Sequence, residues 1–168
     1  MAAVALSEKS SKLNKYLPGV NRTDNIMNQN LKVEDFILQR DRMKLIDEII
    51  MVDESTAVSE SVVSPTWPLF NDGYVHPIVI IELVAQTAGI NIKWNEKDEF
   101  SSKEGERGGF LVGIKKALFH VTRICVDSTI RTCSKKECSQ MGYAEFSGVV
   151  TIGEKNLGEV LLQLFRTD

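Results

Sequence analysis

The stretch that decides the fold is Pro77 to Trp94, PIVIIELVAQTAGINIKW. It reads as a helix with apolar residues on nearly every side, and such a helix belongs in a core. Pro77 suits the first helical position, where its missing N–H would have no partner anyway. Glu82 and Gln86 interrupt the apolar run four residues apart, so one face carries both an acid and an amide. A carboxylate set among Ile78, Val79, Ile81 and Val84 is costly unless it is paired, hydrogen-bonded or used in chemistry.

On the N-terminal side of this helix, Pro65 to Tyr74 is a loop dense in turn formers, with Asn71, Asp72 and Gly73 at its tip. Before it, MKLIDEIIMVDE and TAVSESVVSPT read as two strands joined at Asp53–Glu54–Ser55. The second alternates: Ala57, Ser59, Ser61 and Val63 share one face, and Val58, Glu60 and Val62 the other. Val33 to Leu38 suits a short helical turn. Residues 1–32 are polar, without sustained periodicity, and read as a flexible arm.

On the C-terminal side the helix fades in Asn95–Glu96–Lys97–Asp98, and a polar loop follows. Strand patterns occupy 110–121, 124–135 and 142–152. A tight turn over Gly153–Asn156 leads to a last strand over 158–166. Two strands, one long buried helix and three or four further strands make an α+β chain. The expectation is a single hot-dog domain over 33–168, an antiparallel sheet of five to six strands wrapped around one central helix.

The chain has 168 residues, 43% hydrophobic and 26% charged, with a net charge of −3. That is enough chain for one domain with a real core, and its composition is that of a globular protein. No basic stripe suggests nucleic acid. The apolar helix is too short and too polar at Glu82 and Gln86 for a membrane span. The opening residues lack the apolar segment of a secretory signal. Cys125, Cys133 and Cys138 form no CxxC pair, and there are only two histidines, so neither disulfides nor a metal site are expected. The expected setting is reducing and cytoplasmic.

Four segments resemble the 3-hydroxyacyl-[acyl-carrier-protein] dehydratase family of hot-dog proteins. QRDRMKLIDEII (39–50) is similar to the family's opening "HR-x-PMLLIDRV" strand. PLFNDGYVHPIVIIELVAQTAG (68–89) is similar to its loop and helix ending in "E-x-x-AQ". GGFLVGIKKALF (108–119) resembles the "YLAGI…F" strand, and VDSTIRTCSKK the strand after a "PGD"-type turn, here without Pro and Gly. The loop looks closest to a divergent bacterial branch, with an "HPLL-x-DG" loop, linked to polyene or secondary-metabolite acyl chains. The resemblance implies an active site across a subunit interface, with a loop histidine from one subunit and a helix acid from the other.

The acid carries over to Glu82 and the amide to Gln86. The histidine does not: its position falls at Trp67, whose indole N–H is only a donor. Trp67 then reads as a plug or a wall of an acyl tunnel, or as packing at the loop base. His76 is the substitute base by position, or else a helix-entry residue bonded to backbone. On an ideal helix its six-residue offset amounts to about 9 Å, on another face from Glu82, so a direct pairing needs a second subunit. Amides near Ile78 would hold a thioester oxyanion. Gly113 marks a close approach within its strand, and the resemblance puts that strand along the thioester channel. Lys115, Lys116, Arg123 or Arg131 would meet the phosphate of a phosphopantetheine arm. His120 reads as a sheet-surface or interface residue.

The implied function is a 3-hydroxyacyl-ACP dehydratase-like protein, acting on or binding acyl thioesters in fatty-acid or secondary-metabolite biosynthesis. Two alternatives stand beside it: an acyl thioesterase in which Glu82 activates water that Gln86 orients, and a non-catalytic partner subunit of an active dehydratase. The implied partners are an acyl carrier protein or coenzyme A thioester and a second hot-dog subunit, identical or paralogous. No cofactor is implied beyond the substrate's own phosphopantetheine arm.

Overall fold

A computed structural model describes residues 31–96 and 109–166. The expected arm over 1–32 falls almost wholly outside these residues, and so does most of the polar loop after the helix. The strands are β1 (Glu48–Val52), β2 (Thr56–Val62), β3 (Phe70–Asn71), β4 (Tyr74–Val75), β5 (Gly109–Phe119), β6 (Ile124–Cys125), β7 (Thr129–Gln140), β8 (Tyr143–Ile152) and β9 (Lys155–Arg166). The one α-helix among the described residues, α1, spans Val79–Glu96. Six strands form one sheet in the order β1-β2-β7-β8-β9-β5, and β3, β4 and β6 form a second, small sheet. All the pairings are antiparallel. The large sheet wraps α1, which is the hot-dog arrangement.

Local chemistry sets the turns. Asp53 Oδ1 accepts from the amides of Ser55 and Thr56, both at 2.8 Å, and so closes the β1–β2 turn as an Asx-turn. Asp72 and Gly73 both have positive φ (48° and 80°), which makes the tip of the Pro65–Tyr74 loop a two-residue β3–β4 hairpin. The sequence reading had this segment as loop only, because two-residue strands leave no alternation to detect. The strand expected over 124–135 is in fact β6 and β7, separated by a turn with Asp127 at φ 63°.

The sheet's inner face meets the helix as the alternation requires. Ala57, Ser59, Ser61 and Val63 are all buried, and Ser59 shares a 2.7 Å hydroxyl contact with Thr87. Two glycines let sheet and helix approach. A Cβ at Gly148 would lie 2.5 Å from Val84 Cγ2, and one at Gly158 would lie 3.0 Å from Ile80 Cδ1. Leu83, Val84, Ile80, Phe146, Val150 and Leu162 are fully buried between the layers.

The N-terminal segment covers the far half of α1. Val33, Phe36, Ile37 and Ile46 pack with Ile90, and the Phe36 and Trp94 rings stack at 6.4 Å. The expected helical turn there is a 3-10 turn over Val33–Asp35, and a second one covers Asp41–Met43.

The helix is not sealed on all sides. Ile78 is 44% exposed, and Ile81, Glu82, Ala85, Gly89 and Ile92 are only partly covered. These positions recur every three or four residues and form one stripe. The all-round apolar pattern therefore spans two environments: this chain's own sheet covers one side, and the other is partly open.

Candidate functional site

Glu82 lies in the first turn of α1, on the edge of the uncovered stripe. Its Oε1 accepts hydrogen bonds from Gln86 Nε2 at 2.8 Å and from Gln39 Nε2 at 3.3 Å. The acid is thus half-buried and held by two amides, with no cation bonded to it among the described residues. Gln86 is itself 2% exposed. Its Nε2 also donates to Met43 O at 2.6 Å, and its Oε1 accepts from Leu45 N at 3.1 Å. Both amide hydrogens have partners, so Gln86 orients the carboxylate and pins the 43–45 segment to the helix. It has no hydrogen left to direct at a water.

The sequence placed Glu82 and Gln86 together. Gln39 escaped it, because 43 residues separate it from Glu82 and only the fold closes that gap.

His76 is exposed, and its Nδ1 accepts from the Ile78 amide at 3.2 Å. Its backbone joins the entry too, with Val79 N donating to His76 O at 3.1 Å. His76 therefore caps the start of the helix, and neither histidine bonds to Glu82 among the described residues. The same contact occupies the Ile78 N–H, so that amide is open to an oxyanion only when the imidazole turns away.

Trp67 is 4% exposed and packs in the main core with Val63, Val75 and Val79. It is a wall of the core beneath the β3–β4 hairpin. Gly113 pairs with Gln163, whose neighbours Leu162 and Leu164 are buried against the helix, so Gly113 sits on the sheet's outer face. The close approach expected there comes from Gln163, whose Oε1 lies 2.5 Å from where a Cβ would be.

The four cations singled out in the sequence divide clearly. On the outer face Arg131 pairs with Glu60 at 2.8 Å and Lys116 with Glu159 at 3.7 Å. Lys115 bonds Glu145, which also accepts from Tyr143 at 2.8 Å and Gln163 at 3.3 Å. The Lys115 hydrogen bond, followed by those of Tyr143 and Gln163, holds the Glu145 carboxyl down at about 2. The same contact raises Lys115, while burial and then Glu145 raise Tyr143. Arg123 differs from the other three in lying over the Tyr74 ring, 4.8 Å from its centroid. Burial pushes the Cys133 thiol up to about 11, whereas Cys125 and Cys138 are exposed. Among the described residues no helix is long and apolar enough to cross a membrane.

Comparison with known proteins agrees with this geometry. Among solved structures, the dehydratase heterocomplex ApeI:P from Xenorhabdus doucetiae superposes with a TM-score of 0.74 at 21% identity, over 83% of this chain and 93% of that one. The E. coli PaaI protein from the phenylacetic acid degradation operon gives 0.56 at 12% identity, over 71% and 82%. A hypothetical thioesterase with coenzyme A from Streptococcus pneumoniae gives 0.55 at 14% identity, over 71% and 84%. These likenesses show the fold. No curated protein sequence matches the chain. The family profile of the ApeP-like proteins, described as ApeP dehydratase, matches residues 31–168. The chain is a member of the ApeP-like dehydratase family.

Proposed function

We propose that this chain is the acid-bearing subunit of a two-subunit dehydratase acting on 3-hydroxyacyl thioesters, in a cytoplasmic fatty-acid or secondary-metabolite route. The observation that carries the reading is Glu82: a carboxylate positioned by Gln86 and Gln39 on a helix face that this chain's own sheet leaves open. Dehydration needs a base for the α-proton and an acid for the leaving hydroxyl. Glu82 supplies the acid. The base comes from a paralogous hot-dog subunit that retains the loop histidine this chain replaces with Trp67. Base and acid then flank the substrate. The α C–H bond breaks toward the base, the C–O bond breaks as Glu82 protonates the hydroxyl, and water and an enoyl thioester leave.

The open surface fits such a partner. Ile78, Ile81, Ala85, Gly89 and Ile92 form the uncovered stripe, and a Cβ at Gly89 would meet nothing within 4 Å. Small residues four apart let a second helix come close. Beside them runs β5, an 11-residue edge strand with Leu111, Ile114 and Phe119 exposed on the helix side. An edge that long and apolar is an aggregation hazard unless another strand covers it. One of the similar solved structures is described as a dehydratase heterocomplex, which supports a paralogous partner over an identical one.

The thioesterase alternative rests on Glu82 activating a water; Gln86 does not orient that water, because both hydrogens of its amide already have partners. The test incubates 3-hydroxyacyl and saturated acyl thioesters with the chain alone, with a loop-histidine hot-dog subunit, and with that subunit plus Glu82→Gln. Products are followed by mass. The expected result is water loss only in the pair, falling roughly a hundredfold or more in Glu82→Gln. Thiol release, or full dehydration by Glu82→Gln, would sink the proposal.

A further inference from the structure

Two amides converge on one oxygen of the candidate acid. Gln86 Nε2 reaches Glu82 Oε1 at 2.8 Å, and Gln39 Nε2 reaches the same atom at 3.3 Å. Glu82 Oε2 has no hydrogen bond among the described residues. When the carboxyl carries a proton, that proton belongs on Oε2, because Oε1 already accepts twice. Oε2 is therefore the oxygen that can give a proton away.

The two amides differ in what they have left to offer. Gln86 is buried, and both its hydrogens and its carbonyl are bonded. Gln39 is half-buried, with one N–H on Glu82. Its second N–H and its carbonyl have no partner among the described residues. At 3.3 Å its bond to Glu82 is also longer than a usual N–H···O bond. The main chain beneath it is nevertheless fixed. Arg40 Nη1 donates to Gln39 O at 2.9 Å and to Ile37 O at 2.6 Å, and Nη2 donates to Glu34 O at 3.0 Å. Arg42 Nε donates to Thr66 O at 3.1 Å and ties the same segment to the loop before α1. A firm backbone thus carries, beside the acid, an amide with a donor and an acceptor to spare. Gln86 is the buttress of the carboxylate, and Gln39 is free for a second partner.

We propose that Gln39 recognises the 3-hydroxyl of the substrate: its carbonyl oxygen accepts the hydroxyl hydrogen while Glu82 Oε2 gives its proton to the hydroxyl oxygen. This rests on the dehydratase function proposed above and adds the residue that selects for a hydroxyl. An amide that donates to one oxygen of a carboxyl can bring its own carbonyl alongside the other oxygen. A hydroxyl fits between the two, with one bond to each. As the base takes the α-proton, the electrons of that C–H bond form the C=C bond. The C–O bond breaks, and its electron pair takes the proton from Glu82 Oε2. The water so formed keeps its original hydrogen on Gln39, and Glu82 is left ionised with both amides on Oε1. A chain without the hydroxyl leaves the Gln39 carbonyl unpaired, which is how a polar site rejects an analogue that lacks its group.

The test is kinetic and uses the two-subunit assay with Gln39→Met, a side chain of similar length without the amide. The substrates are 3-hydroxyacyl and 3-methoxyacyl thioesters of equal chain length, with a saturated acyl thioester as competitive inhibitor. The methoxy oxygen can take the Glu82 proton but has no hydrogen for Gln39. The expected result is a kcat/KM for the hydroxyacyl substrate roughly tenfold lower in Gln39→Met, as one lost hydrogen bond implies. The methoxyacyl rate and the inhibition constant of the saturated thioester should stay nearly unchanged. The melting temperature should stay with the parent's, because Gln39 is only half-buried. An equal fall for both substrates would show that Gln39 acts only by orienting Glu82, and would overturn hydroxyl recognition. A saturated thioester weakened by the same factor would make Gln39 a mere wall of the groove, and an unchanged hydroxyacyl rate would give it no part at all. Either result would overturn the assignment while leaving the dehydratase function standing. A parent pair that releases no water would overturn both.

Discussion

Gln86 stands one helical turn beyond Glu82 and bonds it at 2.8 Å, while the same amide clamps the backbone of Met43 and Leu45. One buried side chain thus couples the acid's orientation to the path of the chain before β1. Gln86→Ala leaves the Leu45 N–H and Met43 C=O without this partner and opens a void. A loss of about 2–4 kcal/mol is expected from such a change. Urea unfolding measures it, and a loss below about 1 kcal/mol would show that the clamp is not important to the fold. Gln86→Glu keeps the volume but replaces the donor to Glu82 and Met43 O with a second acceptor, so it should also destabilise.

The contact between Gly148 and Val84 makes a steric prediction. A methyl at Gly148 would lie 2.5 Å from Val84 Cγ2 and 2.9 Å from its Cβ. Gly148→Ala should cost about 1–3 kcal/mol, the usual penalty for overpacking a tight core. Val84→Ala alone should also destabilise, by leaving a cavity. The double variant should recover part of the sum, with a coupling of about 1 kcal/mol or more in thermal unfolding. Strict additivity would mean that β8 and α1 separate easily, contrary to the packing.

Much of this architecture was legible because its signals are local. The period-2 alternation of Ala57, Ser59, Ser61 and Val63 gave the inner face of β2, and all four are buried. The apolar run after Pro77 gave the helix, although its ordered span begins at Val79, two residues later than the proline suggests. What the sequence hid was relational. Exposure along Ile81, Ala85 and Gly89 depends on how far the sheet curls, and a helix covered by two chains has the same composition as one covered by one. The Gln39–Glu82 bond and the meeting of Tyr74 and Arg123 depend on loop closure, which leaves no periodicity to read.

Acid should weaken the outer sheet face. The Glu145 carboxyl is held at about 2, against 4.5 unperturbed, by Lys115, Tyr143 and Gln163. A group depressed in the folded state contributes stability that is complete above about pH 4.5 and is lost as pH falls toward 2. Glu145→Gln should therefore be less stable than the parent at pH 6, with the difference shrinking as pH drops through that window. A difference independent of pH between 6 and 2 would mean that the ion pair with Lys115 contributes nothing.

The edge of the sheet makes the last prediction. Ile114 is 48% exposed on β5 and pairs with the buried Leu162, so its side chain points to the helix side but beyond this chain's own core. An aspartate there meets water in the isolated chain and should change its unfolding by no more than about 0.5 kcal/mol. Against a second hot-dog subunit the same charge would be buried without a partner, which costs several kcal/mol. Ile114→Asp should therefore leave the melting temperature of the single chain nearly unchanged and abolish co-elution with the partner subunit. If the chain alone forms a dimer through β5, the variant should convert it to a monomer in light scattering. Retained assembly in both experiments would show that β5 is not the joining edge, and that a partner reaching Glu82 must approach the open helix face along another edge.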